Sequence, residues 1–299
     1  MNKASIKLDK ISYNHLGQYK YLHGDSERVL KKFKNGYFKL VVTSPPYNVG
    51  KDYEIKKSIE EYLSNQRRII EEIVRVTDED GSICWQVGNY IDKKSKEVFP
   101  LDIYYYEIFK SFGLKLRNRI IWHFGHGLHA SSRFSGRYET ILWFTKSDDY
   151  TFNLDNVRVG QKYPGKKHYK GPNKGKYSGN PMGKNPTDIW EIPNVKSNHV
   201  EKTIHPCQFP ITLVDRLVLS MTNEDEWVLD PFAGVGSTLL SSIRNSRNAV
   251  GIEKMSNYIS IGKKRIEDMR NGILKIREDV PVYDHNLSNL SKTPEDFIK

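Results

Sequence analysis

The chain is 299 residues long, 37% hydrophobic and 28% charged, and it carries a net charge of +11. That balance suits a globular protein with a full core, and the length fits one large or two small domains. No run of about 18 apolar residues occurs, which argues against a membrane-spanning helix, and the excess of basic charge points to a polyanionic partner.

The opening Met1-Asn2-Lys3-Ala4-Ser5 lacks the apolar stretch of a signal peptide. Cys84 and Cys207 are too few for a disulfide framework or a four-ligand zinc site. The nine histidines show no metal-ligand spacing. A cytoplasmic protein without a metal is therefore expected.

In chain order, Tyr19–His23 predicts a strand that ends at Gly24-Asp25-Ser26. Residues 26–34 predict a short helix with Ser26 as its cap and Val29, Leu30 and Phe33 on one face. The apolar run Phe38-Lys39-Leu40-Val41-Val42 predicts a buried strand, and Ser44-Pro45-Pro46-Tyr47 ends it. Proline donates no N–H, so two in succession stop the ladder and stiffen the turn. A hydroxyl, backbone carbonyls and an aromatic face then stand side by side. A flat ligand bearing an amino group could stack on Tyr47 and give its hydrogens to Ser44 Oγ and to the Ser44 or Pro45 carbonyl.

Residues 58–76 predict a helix capped by Ser58, with Glu61 in capping-box position. Asp78-Glu79-Asp80-Gly81 reads as a turn, residues 82–88 as a strand, and residues 99–112 as an aromatic-rich helix stopped by Gly113. Two strands, 116–123 and 140–144, flank a long glycine-rich loop at 125–139 that contains Arg133 and Arg137. Loops of that length are usually functional.

Residues 156–187 hold eight Lys/Arg residues and no Asp or Glu, interleaved with glycine, proline and tyrosine. Lys162, Lys166, Lys167, Lys170, Lys174 and Lys176 are among them. No helical period is present. Clustered cations among aromatics suit a nucleic-acid backbone and exposed bases.

Asp188–Ile192 predicts a short strand, and His205-Pro206-Cys207-Gln208-Phe209-Pro210 leads into a helix at 211–222. Trp227-Val228-Leu229 predicts a strand, Asp230-Pro231-Phe232-Ala233-Gly234-Val235-Gly236-Ser237-Thr238 the turn after it, and residues 238–245 a helix. A further strand, 249–252, ends in Glu253, and residues 258–269 form a basic amphipathic helix. Strand, glycine turn, helix, strand and acid make a parallel βαβ unit. Gly234 and Gly236 admit a ligand close to the backbone, and Glu253 can accept ribose hydroxyls. A dinucleotide fingerprint would need a third glycine where Leu239 stands. An NAD oxidoreductase is thereby disfavoured, and it would also leave Ser-Pro-Pro-Tyr without a role.

Ser-Pro-Pro-Tyr at 44–47, His-Pro-Cys-Gln-Phe-Pro at 205–210 and Asp-Pro-Phe-Ala-Gly-Val-Gly-Ser-Thr at 230–238 together resemble the amino-group DNA methyltransferases of bacterial restriction–modification systems. The tetrapeptide comes first, the glycine turn last and the basic stretch between them, the permuted order of the beta class. The resemblance covers about residues 19–270 and implies an α/β Rossmann-like fold. Its sheet would have seven mostly parallel strands, helices on both faces and one antiparallel strand near the edge. It further implies a catalytic half at 1–150, a target-recognition insert at 151–200, a cofactor half at 201–275 and a tail at 276–299.

The implied cofactor is S-adenosylmethionine. Phe232, Gly234 and Gly236 would line its site, Asp230 and Thr238 hold the methionine end, Glu253 the ribose, and Asp25 lie near the adenine. His205, Gln208 and Phe209 would close the pocket. The implied catalytic group is Ser44, Pro45, Pro46 and Tyr47. Arg133, Arg137 and the lysines at 162–176 would grip double-stranded DNA whose target base is flipped out. A serine before Pro-Pro-Tyr leans toward cytosine N4 in this family, with adenine N6 the alternative. A catalytically inactive nucleic-acid-binding module is a third reading. The resemblance also implies a cognate restriction endonuclease acting on the same site and a monomer or homodimer.

Overall fold

A computed structural model describes residues 16–277, apart from 49, 51–55, 93, 126, 128, 161–165 and 181. Ten strands and six helices are laid out along these residues. They are β1 (Tyr19–His23), α1 (Ser26–Leu30), β2 (Phe38–Thr43), α2 (Ile59–Val76), β3 (Thr77–Val87), β4 (Asn89–Ile91), β5 (Val98–Pro100) and α3 (Leu101–Ser111). Then follow β6 (Lys115–His123), β7 (Tyr138–Thr145), β8 (Ile189–Glu191), α4 (Ile211–Met221), β9 (Trp227–Asp230), α5 (Ser237–Arg244), β10 (Asn248–Glu253) and α6 (Ser256–Arg270). The expected tail at 276–299 falls almost wholly outside the described residues.

Eight strands form one sheet in the order β1-β10-β9-β2-β3-β7-β6-β8, and β4 and β5 form a separate hairpin. Within the large sheet only β7 runs against its neighbours, pairing antiparallel with both β3 and β6. The fold class is as expected, with one strand more: β8 adds to β6 in parallel through Ile121↔Ile189 and Trp122↔Trp190. The antiparallel strand consequently stands third from the edge.

Strand β2 shows why the sheet is covered on both sides. Its side chains alternate in direction, and all six residues are buried. Val41 joins the layer of α1, α2 and α3, with Leu30, Ile70, Ile73 and Phe109. Leu40 and Val42 join the opposite layer, with Leu213, Leu217 and Val218 of α4. Helices α5 and α6 extend that second layer through Leu239, Leu240, Ile243 and Ile266. Each fully buried aliphatic side chain contributes ~1.5–3 kcal/mol.

Local signals set most helix ends. Ser58 Oγ accepts from Glu61 N at 3.2 Å, and Gly113 follows α3 with φ +82°. Helix α1 is shorter than its pattern predicts, and its cap is Asp25, whose Oδ1 accepts from Arg28 N at 3.2 Å. The predicted turn at 78–81 is the first part of β3, where the β2–β3 register shifts between Phe38 and Leu40. That irregularity absorbs the turn-forming residues without ending the strand. Helix α4 begins one residue after Pro210, which occupies the cap position.

Candidate functional site

Strand β2 continues into α2 on one face, and β9 continues into α5 on the other. The two strands are neighbours and parallel. The chain thus leaves their C-terminal ends in opposite directions, and a crevice opens between the departing loops. A cleft of about 240 Å³ lies there. Ser44, Pro45, Pro46 and Tyr47 form one side, and Asp230, Phe232, Gly234 and Glu253 the other. Asp25 reaches it from the end of β1, and His205, Gln208 and Phe209 from the segment before α4. Gly236 and Thr238 stand behind this wall, in the turn and the first turn of α5.

The glycine turn is a cradle that side chains would fill. Gly234 has φ +50°, and a Cβ there would lie 3.0 Å from His205 Nε2. Gly236 has φ +80°, with the Tyr21 hydroxyl 3.3 Å from a notional Cβ. Tyr21 Oη donates to the Gly234 carbonyl at 2.5 Å, and Arg265 Nη1 donates to the Val235 carbonyl at 2.7 Å. Burial lowers the Arg265 guanidinium to about 10, so it stays charged at neutral pH. Glu253 accepts from Gly234 N at 2.9 Å and from Met255 N at 2.8 Å, which fixes its carboxylate at the end of β10.

Asp230 ties the two sides together from behind. Its Oδ1 accepts from Thr43 Oγ1 at 2.6 Å and Phe232 N at 3.0 Å, and its Oδ2 accepts from Thr238 Oγ1 at 2.6 Å. Burial pushes this carboxyl up to about 6, against the pull of its donors. Thr43 immediately precedes Ser44, so one buried carboxylate links the Ser-Pro-Pro-Tyr turn to the glycine turn.

The segment before α4 folds as a cover. Gln208 Nε2 donates to the Glu201 carbonyl at 2.8 Å, and Ser237 Oγ donates to the Phe209 carbonyl at 2.9 Å. Glu201 accepts from Ile211 N at 3.0 Å, the first residue of α4. The His205 ring stands edge-on to Tyr258 at 4.6 Å, and burial, with Lys202 nearby, lowers its pKa to about 4.

On the Ser-Pro-Pro-Tyr side, the Pro46 carbonyl is taken by the Tyr62 hydroxyl at 2.6 Å. Asn48, in the left-handed region at φ 59°, donates to Lys57 O and accepts from Lys57 N. The Tyr47 hydroxyl lies 3.0 Å from Ser44 Oγ, 3.1 Å from Gln86 Oε1 and 3.4 Å from Glu139 Oε2. Burial raises the Tyr47 phenol well above its ordinary value, with the Glu139 charge adding to it, so the hydroxyl keeps its proton. Burial likewise raises the Glu139 carboxyl. Sequence reasoning passed over Gln86, Glu139, Tyr21 and Arg265. Glu139 had one local signal, a carboxylate on the threshold of an apolar strand.

Arg133 is exposed on the 125–139 loop, and Arg137 Nη1 donates to the Gly136 carbonyl at 3.0 Å. Lys166, Lys167, Lys170, Lys174 and Lys176 are all exposed on a small hairpin. Its rungs are the Lys167↔Tyr177 bridge and the bonds from Ser178 N to Lys166 O and from His168 N to Lys176 O. Lys167 Nζ sits 5.2 Å over the Tyr177 ring. Lys162 lies outside the described residues.

A family model described as DNA methylase, covering N6 and N4 methyltransferases, matches residues 38–264. The chain belongs to that family. It is 48% identical over 242 residues to the type II methyltransferase M.BglII of Bacillus subtilis, covering 81% of this chain and 67% of the relative. A putative DNA modification methylase of Thermus thermophilus, solved in complex with S-adenosylmethionine, superposes with a TM-score of 0.59 at 26% identity, covering 87% of this chain and 100% of that one. The fold is also that of the cytosine-N4-specific PvuII DNA methyltransferase, with a TM-score of 0.65 at 20% identity over 87% and 94% of the two chains. The protein is a DNA methyltransferase, and S-adenosylmethionine is the methyl donor of its family. The glycine cradle and the carboxylate at the end of β10 fit such a ligand.

Proposed function

We propose that this enzyme methylates the exocyclic N4 of a cytosine flipped out of duplex DNA, as the modification partner of a restriction endonuclease in the cytoplasm. The observation that carries the reading is one cleft shared by the Ser-Pro-Pro-Tyr turn and the glycine cradle. A nucleophile held by the first would meet a methyl donor held by the second.

S-adenosylmethionine supplies an electrophilic methyl group on a sulfonium. Phe232, Gly234 and Glu253 bind the cofactor, with Asp25 toward the adenine. His205, Gln208 and Phe209 cover it. Gly236, Asp230 and Thr238 serve by holding the turn's shape. Tyr47 stacks on the extruded base, while Ser44 Oγ and the adjacent backbone carbonyl of Pro45 accept its amino hydrogens. That contact shifts the nitrogen toward a tetrahedral form and aims its lone pair. The catalytic effect is positioning and electrostatics. Direct transfer to the amino nitrogen needs no covalent enzyme intermediate, so neither cysteine is given a nucleophilic role; Cys84 is buried, and burial raises its thiol, while Cys207 is exposed.

Arg133 and Arg137 bear on the phosphates from the 125–139 loop, and the 166–178 hairpin does so as part of a target-recognition insert at 151–200 between the two halves of the domain. The serine before Pro-Pro-Tyr favours cytosine. The family includes adenine N6 enzymes, and the same acceptors would serve that amino group.

Replacing Ser44 by Ala is expected to lower turnover about 10²–10³-fold, the scale of removing one positioned hydrogen-bonding group from an active site. Cofactor affinity, measured by calorimetry, should stay within about twofold. A Ser44→Ala enzyme with normal turnover would remove the role given to this hydroxyl.

A further inference from the structure

Gln86, Glu139, Tyr47 and Ser44 form a continuous hydrogen-bonded row beside the cleft, and its direction is set from one end. Glu139 stands at the start of β7, next to the end of β3, where Val87 pairs with Thr140. Its Oε2 accepts from Gln86 Nε2 in a short hydrogen bond and lies 3.4 Å from the Tyr47 hydroxyl. Gly88 leaves the room for this carboxylate, since a Cβ there would come within 3.0 Å of Glu139 Oε1.

Glu139 Oε2 is the acceptor in both of its contacts in the row, toward Gln86 Nε2 and toward the Tyr47 hydroxyl. Gln86 must therefore turn its NH2 group toward Glu139, and its carbonyl oxygen faces Tyr47 at 3.1 Å. Both oxygens near the Tyr47 hydroxyl, from Gln86 and Glu139, are then acceptors. The phenol has one proton and gives it to one of them. Its own oxygen accepts from Ser44, 3.0 Å away. The single proton of Ser44 is committed to Tyr47, and what the serine offers a ligand is its lone pairs.

We propose that Glu139 is a positioning residue which, through Gln86 and Tyr47, makes Ser44 an obligate hydrogen-bond acceptor. An isolated serine can donate or accept with equal ease. One held in this way suits bases that present an exocyclic amino group and disfavours those that present a carbonyl oxygen at the same place. The proposal rests on Ser44 as the group that meets the target amino group.

The test is the isosteric change Glu139→Gln, which lets position 139 donate and so permits the row to reverse. Methyl transfer from labelled S-adenosylmethionine to mixed-sequence duplex DNA is measured in single turnover, alongside cofactor binding by calorimetry. The expected result is a loss of roughly tenfold to a hundredfold in rate, smaller than for a group that touches the base, with cofactor affinity within about twofold. In a Tyr47→Phe background, where the row is already cut, Glu139→Gln should cost less than about twofold further. Gly88→Ala, which crowds the carboxylate from outside the row, should give a milder loss of the same kind.

Three outcomes would overturn the proposal: a Glu139→Gln rate equal to wild type, losses that multiply in the double variant, or cofactor affinity falling in step with rate. Ser44→Ala separates the two readings. If it abolishes transfer while Glu139→Gln is silent, the serine keeps its role and Glu139 loses the one assigned to it.

Discussion

On the proposed cofactor side of the cleft, Gly234 acts by lacking a side chain. Its φ of +50° and the 3.0 Å gap to His205 Nε2 leave no place for a Cβ, least of all a branched one. Gly234→Val is expected to weaken S-adenosylmethionine binding at least about tenfold, or ~1.4 kcal/mol. Turnover at saturating cofactor should fall much less, so a titration of rate against cofactor reads the two apart. Unchanged affinity would detach this turn from the cofactor. Ser44, Gly234 and Glu253 were legible in the sequence because their chemistry stands in contiguous motifs at strand ends. Gln86 and Glu139 were not. They are distant in sequence, and they meet because β7 runs antiparallel beside β3.

Elements with a strong local period were read well, and the short strand expected at 188–192 is present as β8, but how such strands pair across the sheet was not legible. Helix α2 shows its apolar face and its cap within its own residues. Strand β8 has three residues and exists through its register with β6. The basic stretch has no period either, yet its backbone closes into the 166–178 hairpin through bonds across a turn at 171–174. That gives the lysines a fixed common platform rather than a loose string. Neutralising Lys166, Lys167 and Lys170 together is expected to weaken DNA binding and to flatten the dependence of log affinity on log salt, by about 0.9 in slope for each phosphate no longer neutralised. Filter binding or anisotropy across a salt series would read that slope. A slope equal to wild type would remove the hairpin from the interface.

At the scale of the whole molecule, five adjacent parallel strands bring their C-terminal ends to one edge of the sheet. Residues from near position 25, position 44, position 230 and position 253 are gathered there in space although the chain visits them in a permuted order. Asp230 fastens β2 to α5, since it binds Thr43 and Thr238. The parallel βαβ units made this class of fold predictable, while the eighth strand and the inner place of β7 followed from pairings that no local window contains. The Ser-Pro-Pro-Tyr turn and the glycine cradle thereby share one cleft. The most direct test is to incubate the protein with labelled S-adenosylmethionine and mixed-sequence duplex DNA, digest the product to nucleosides and identify the labelled one. N4-methyl-deoxycytidine is the predicted product. N6-methyl-deoxyadenosine in its place would contradict the assignment of the target base, and label in neither nucleoside would contradict amino-group methylation as the activity of this chain.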